Sequence, residues 1–120
     1  MTFARVTLVL AAVAAGAVFA HDPAVAASAE NGKVAFVKHG CWQCHGFEGQ
    51  GSATTSAGRV IADTQLPADA FAAYVRAPSG AMPPFRPEIL SDGDLADIYA
   101  YLESRPKPQA AKDIPLLNNP

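Results

Sequence analysis

The sequence predicts an all-α fold: short helices joined by long irregular connections. Apolar residues recur at helical spacing in three separate stretches, and no stretch alternates apolar with polar residues as a half-buried strand would. The segments between them are dense in glycine and proline, which interrupt both kinds of regular structure.

The chain opens with a leader rather than with the domain. Arg5 supplies one positive charge, Val6 to Phe19 is an apolar run broken only by Thr7 and Gly16, and Val18-Phe19-Ala20 is a small-residue cleavage context. This is the pattern of a secretory signal peptide over residues 1–20, with a second cleavage context as late as residue 27. An uncleaved membrane anchor is the competing reading, but the run is shorter than the ~20 apolar residues a spanning helix requires.

The first helix is predicted from Ser28, which can cap it, to Lys38. Ala29, Gly32, Phe36 and Val37 fall on one face, and Gly40 suits the left-handed turn that closes many helices. A second begins near Pro67, carries Phe71, Tyr74 and Val75 at i, i+3 and i+4, and stops before Pro78. A third is capped by Ser91, has Asp92, Asp94 and Asp97 near its positive end, and carries Leu95, Ile98, Tyr99 and Leu102. It ends at Ser104-Arg105-Pro106. The domain is therefore expected over residues 28–105. Residues 106–120 are expected to form a proline-rich tail that is disordered or lies over the surface, with Ile114, Leu116 and Leu117 available to dock.

Between the first two helices, Gly46, Gly49, Gly51 and Gly58 mix with Ser52, Thr54, Thr55 and Ser56 in a loop of about twenty residues. A connection of that length in a compact domain usually has a function. Just before it stands Cys41-Trp42-Gln43-Cys44-His45, the C-x-x-C-H haem-attachment pattern. In that chemistry the two thiols add to the haem vinyl groups and the histidine becomes the proximal iron ligand. A zinc site would need four ligands, and the chain has two cysteines. A thiol-disulfide dithiol would sit in a strand-to-helix turn, whereas helical periodicity precedes Cys41. The expected cofactor is one covalent haem c, the loop is expected to wrap it through Val60, Ile61 and Leu66, and the chain without haem is expected to be largely unfolded.

The opposite face of the iron needs its own ligand. Met82 is the one methionine left after leader removal, in Ser79-Gly80-Ala81-Met82-Pro83-Pro84-Phe85, where two prolines enforce a stiff extended segment. Ordinary core packing is the commoner use of methionine, but a lone apolar residue between glycine and two prolines is poorly placed for it. His39 is a rival ligand tethered close to the attachment side, and His21 lies beside the leader cleavage context.

Together, Cys41-Trp42-Gln43-Cys44-His45 and Gly80-Ala81-Met82-Pro83-Pro84-Phe85 resemble a class I monohaem cytochrome c over about residues 28 to 105. The resemblance implies His45 and Met82 as axial ligands. It also implies a crossing of first and last helices that brings Gly32 and Phe36 against Ile98, Tyr101 and Leu102. Members of that family often carry Gly-Pro after the haem motif, the proline carbonyl accepting the second ring N–H of the proximal histidine. Here Gly58 is followed by Arg59, so the expected acceptor is a loop carbonyl near Gly58, with the Arg59 side chain in solvent or beside a propionate.

These readings point to one-electron transfer in the periplasm, without catalysis. The expected partners are redox proteins, a periplasmic dehydrogenase as donor and an oxidase or another cytochrome as acceptor. The alternatives are a dedicated cytochrome subunit of a dehydrogenase complex, a thiol-disulfide oxidoreductase, or a haem gas sensor. With 9 basic against 11 acidic residues the chain is not built for nucleic acid, and membrane association would follow only from an uncleaved leader. Trp42, Gln43, Phe47, Ala81, Pro83, Pro84 and Phe85 are expected to form a nearly neutral apolar rim, with Glu48, Arg76 and Arg86 as its nearest charges.

Overall fold

A computed structural model describes residues 26–52 and 58–118. The predicted leader lies outside the described residues. Four helices and no strand are found among them: α1 (Ala29–Lys38), α2 (Trp42–His45), α3 (Ala68–Arg76) and α4 (Asp92–Glu103). Short 3-10 turns follow at Ala111–Asp113 and Pro115–Leu117. None of the helices is long and apolar enough to cross a membrane.

The caps anticipated from the sequence are present. Ser28 Oγ accepts from the Asn31 N–H at 3.2 Å, and Ser91 Oγ accepts from the Asp94 N–H at 3.0 Å. Each satisfies an N–H that the first helical turn leaves without a partner. Pro67 differs from expectation by one position: its ψ of 148° places it outside α3 as the N-cap, and its carbonyl receives the Phe71 N–H at 2.9 Å. α2 is the single turn formed by the C-x-x-C-H stretch, ended by Gly46 with φ 74°.

α1 and α4 cross tightly and form the centre of the fold. A Cβ at Gly32 would lie 1.9 Å from the Asp97 carbonyl oxygen, so only glycine lets the two backbones come this close. Around this point Phe36, Leu90, Tyr101 and Leu102 are completely buried, with the Phe36 and Tyr101 rings 5.7 Å apart. Burying each such side chain contributes about 1.5–3 kcal/mol. The Ser28 N–H donates to Asp97 Oδ1 at 2.7 Å, which pins the start of α1 to the middle of α4. Asp97 is thus occupied by the neighbouring helix rather than by its own helix dipole.

One assignment on α1 is corrected. Val37 is exposed, and Ala35 takes the buried place beside Gly32 and Phe36. Each residue turns the helix by about 100°, so the stripe centred on the Gly32 contact passes through 32, 35 and 36 and leaves 37 facing solvent. In the tail Leu116 and Leu117 are exposed and do not dock, while Ile114 is half-buried.

The glycine-rich loop is closed by the main chain. Gly51 N–H donates to the His45 carbonyl at 2.7 Å, and the Ile61 and Ala62 N–H groups both donate to the Gly49 carbonyl. The Asp63 N–H then reaches the Leu102 carbonyl at 2.9 Å, fastening the loop exit to α4.

Candidate haem site

Between these elements lies a cavity of about 910 Å³. That is near the upper end of the roughly 300–1,000 Å³ spanned by small-molecule and cofactor sites. Its floor is core: Phe36, Phe71, Val75, Leu90, Leu95, Ile98 and Leu102. Val60, Ile61 and Leu66, the residues expected to meet a ring, line it as well. Val60 and Leu66 are about half exposed, and their exposure opens on this cavity. A large apolar surface left uncovered inside a small domain calls for a large apolar occupant.

Cys41, His45 and Met82 come together in its wall. α2 and the turn before it place the first two, and the extended segment after α3 places the third. Met82 is half-buried and packs against the core. Cys44 is exposed and is not among the lining residues. His39 stays outside: its Nε2 lies 3.4 Å from Asp94 Oδ2 on α4.

His45 is oriented by the loop. Its Nδ1 lies 2.8 Å from the Arg59 carbonyl oxygen. A carbonyl can only accept, so Nδ1 carries the proton and Nε2 keeps its lone pair for a metal. The expected acceptor near Gly58 is therefore the carbonyl of the very next residue, and the Arg59 side chain is exposed at the cavity wall. Gly58 makes this approach possible, because a Cβ there would fall 1.7 Å from the Cys44 carbonyl oxygen.

Burial pushes the Cys41 thiol up to about 11; Cys44 adds to the rise, while a backbone hydrogen bond opposes it. A thiol held protonated in an apolar wall lacks the lowered pKa that disulfide exchange exploits. One attachment thiol, one thioether and one imidazole nitrogen, from Cys41, Met82 and His45, around an apolar cavity of this size fit a haem.

Three features were not anticipated from the sequence. Lys107, assigned to the tail, lines the cavity. Arg76, read as a rim charge, turns inward onto main-chain carbonyls and Asp92. Glu48, read likewise, pairs with Arg105 at 2.9 Å and lies 4.0 Å from Lys33. Single basic residues near helix ends are ordinary complements to the helix dipole, so nothing in the sequence marked Arg76 as different.

The helical frame and the cavity together make up a cytochrome c domain of class I: a monohaem electron carrier whose cofactor is covalently attached haem c. Residues 27–102 match the family described as cytochrome C oxidase, cbb3-type, subunit III, and the chain belongs to that family. No curated protein and no solved structure matches it significantly. Domains of this class work with redox protein partners and are typically extracytoplasmic.

Proposed function

We propose that this chain is a periplasmic one-electron carrier in which Cys41 and Cys44 hold the haem through thioethers and His45 and Met82 ligate its iron. The observation that carries the proposal is the 2.8 Å hydrogen bond from His45 Nδ1–H to the Arg59 carbonyl, at the wall of a cavity that Cys41 and Met82 also line. When bound, the haem supplies an iron that accepts and returns one electron. The Arg59 carbonyl fixes the His45 ring and its tautomer, leaving Nε2 free to ligate. The Met82 thioether favours reduced metal and so raises the potential. Phe36, Leu90, Ile98 and Leu102 exclude water from the inner wall. At the surface Gln43, Phe47, Ala81, Pro83 and Pro84 are exposed, with Trp42 and Phe85 half-buried, which supports an apolar rim for transient docking. The carrier domain is residues 28–105, within a mature chain left by cleavage of the leader over residues 1–20, or as late as residue 27.

The test is expression in a host competent for haem attachment. Intact mass should show the leader lost and one haem gained, and Met82→Ala should bind carbon monoxide at neutral pH and have a lower potential. An unmodified chain with a Cys41–Cys44 disulfide would overturn the attachment, and a Met82→Ala variant indistinguishable from wild type would overturn the ligation.

A second reading rests on the description of the matched family: a cytochrome subunit held by a larger oxidoreductase. Purification from the native source separates the two, because a subunit travels with its complex and a carrier does not.

A further inference from the structure

The segment that carries Met82 has little to hold it in place by itself. Gly80 and Ala81 form a local turn, but among the described residues no well-aligned backbone-to-backbone hydrogen bond ties residues 78–84 to the rest of the fold, and Pro83 and Pro84 have no N–H to offer. At its start the Tyr74 hydroxyl of α3 lies 3.3 Å from both the Ser79 carbonyl and Ser79 Oγ, and Met82 packs against the core without a polar fastening of its own. Proline stiffness fixes the local path of the segment. It does not fix where the segment sits against the cavity.

That position is set where the segment rejoins the fold. The Phe85 N–H donates to the Val75 carbonyl at 3.1 Å, and the Phe85 carbonyl accepts from Arg76 Nη1 at 2.7 Å. Both main-chain groups of Phe85 are thus held by consecutive residues at the end of α3. Arg76 Nη1 also donates to the Leu90 carbonyl at 2.7 Å, and Nη2 donates to Asp92 Oδ1 at 2.5 Å in the first turn of α4. One guanidinium therefore joins the end of α3, the exit of the Met82 segment and the start of α4. The Arg76 side chain is only 20% exposed, so the bonds to the two carbonyls are shielded from solvent, whereas Asp92 is 88% exposed and its ion pair with Arg76 is screened.

We propose that Arg76 is the positioning residue for Met82: it latches the exit of the methionine segment so that the thioether is held at the cavity wall. The inference rests on the reading of Met82 as an iron ligand. A fork of N–H donors is required because two carbonyls and a carboxylate are served from different directions, and a lysine offers only a point charge in their place. Losing one such charge-assisted bond shifts the opening of the segment roughly ten- to a hundredfold.

The experiment compares haem-loaded wild type, Met82→Ala, Arg76→Leu and Arg76→Lys. Three readouts are followed: the sulfur-to-iron charge-transfer band in the far red, the fraction that takes up carbon monoxide at neutral pH, and helix content by circular dichroism during heating. Arg76→Leu should take up carbon monoxide in at least a tenfold larger fraction than wild type while keeping its helices. In Arg76→Lys, which retains the charge and is the milder change, the far-red band should disappear at a lower temperature than the helices. A residue that merely stabilised the fold would move both transitions together. The proposal is overturned if band and helices melt together in Arg76→Lys, with wild-type exclusion of carbon monoxide. Failure of the underlying reading has its own signature, since wild type would then lack the band and Met82→Ala would take up carbon monoxide no more than wild type, whatever the Arg76 variants do.

Discussion

Replacing Gly32 by alanine sets two known effects against each other at the crossing of α1 and α4. In an isolated helix the change is favourable by about 1 kcal/mol, because alanine loses less conformational freedom on folding. In this fold the new Cβ would lie 1.9 Å from the Asp97 carbonyl oxygen and 2.8 Å from Tyr101 Cβ, where ordinary contact begins near 3.4 Å. The helices must part by about 1.5 Å, the difference between 3.4 and 1.9 Å. The obstacle is helix backbone and cannot rotate aside, which places the cost near the top of the ~1–3 kcal/mol range for overpacking. Separation also strains the 2.7 Å bond from Ser28 N–H to Asp97 Oδ1, worth about 1 kcal/mol. The steric terms win, and the net loss should be about 2–3 kcal/mol. For a domain of this size that lowers Tm by roughly 10–20 °C. The assay is thermal unfolding of the haem-loaded protein by circular dichroism, with Gly93→Ala as the control of sign. Gly93 is exposed in the first turn of α4, and a Cβ there meets nothing nearer than Ser91 Oγ at 3.9 Å. That variant should be neutral or more stable by up to about 1 kcal/mol. A Gly32→Ala protein as stable as wild type would refute the crossing geometry, as would equal losses at both positions.

Gly58→Ala should disturb the site as well as the fold. A Cβ 1.7 Å from the Cys44 carbonyl must displace residues 58–60, taking the Arg59 carbonyl away from His45, for a loss of about 2–4 kcal/mol. Denaturant unfolding together with the ring-proton resonances of His45 checks both parts. Tyr101 makes stability sensitive to high pH. Burial, then the nearby Glu48 charge, raise its pKa above the ordinary 10.0, and Arg105 partly offsets them. The native state therefore keeps a proton that the unfolded chain gives up. Its contribution is complete below pH 10.0 and is lost as pH rises from there through the raised native value. Tyr101→Phe should lose about 1 kcal/mol at neutral pH, where the hydroxyl donates to the Phe47 carbonyl at 2.9 Å, and should show a shallower alkaline decline than wild type in paired denaturant titrations.

The helices were legible because their signals are local. Ser28 and Ser91 cap where they were expected to, and the apolar spacing located α3 and α4 to within a residue or two at each end. Val37 was misplaced because a four-residue apolar stripe on a short helix does not settle its own centre. The close approach at Gly32 does settle it, and that approach is a property of two helices rather than of one. Arg76 was out of reach for a related reason. Two of its three acceptors are main-chain carbonyls, which every residue carries, so no residue type downstream marks them.

The orientation of His45 takes this reasoning one step further. The family resemblance pointed to a proline carbonyl, and Arg59 stands where that proline would be, so the expected acceptor was a loop carbonyl near Gly58 that the sequence did not identify. The 2.8 Å bond identifies it as the carbonyl of Arg59, and the accepting oxygen belongs to the backbone and is the same atom whether the residue is proline or arginine. What the bond does require is that the main chain reach the haem-motif turn, and that requirement falls on the preceding residue. With 1.7 Å between a Cβ at position 58 and the Cys44 carbonyl, no side chain other than the hydrogen of glycine fits. The steric constraint therefore sits at Gly58, one position before the oxygen that accepts the bond. Proline at position 59 would restrict φ and stiffen the approach, and arginine forgoes that rigidity. The bonds that close the loop around Gly49 and Gly51 hold the segment in its place.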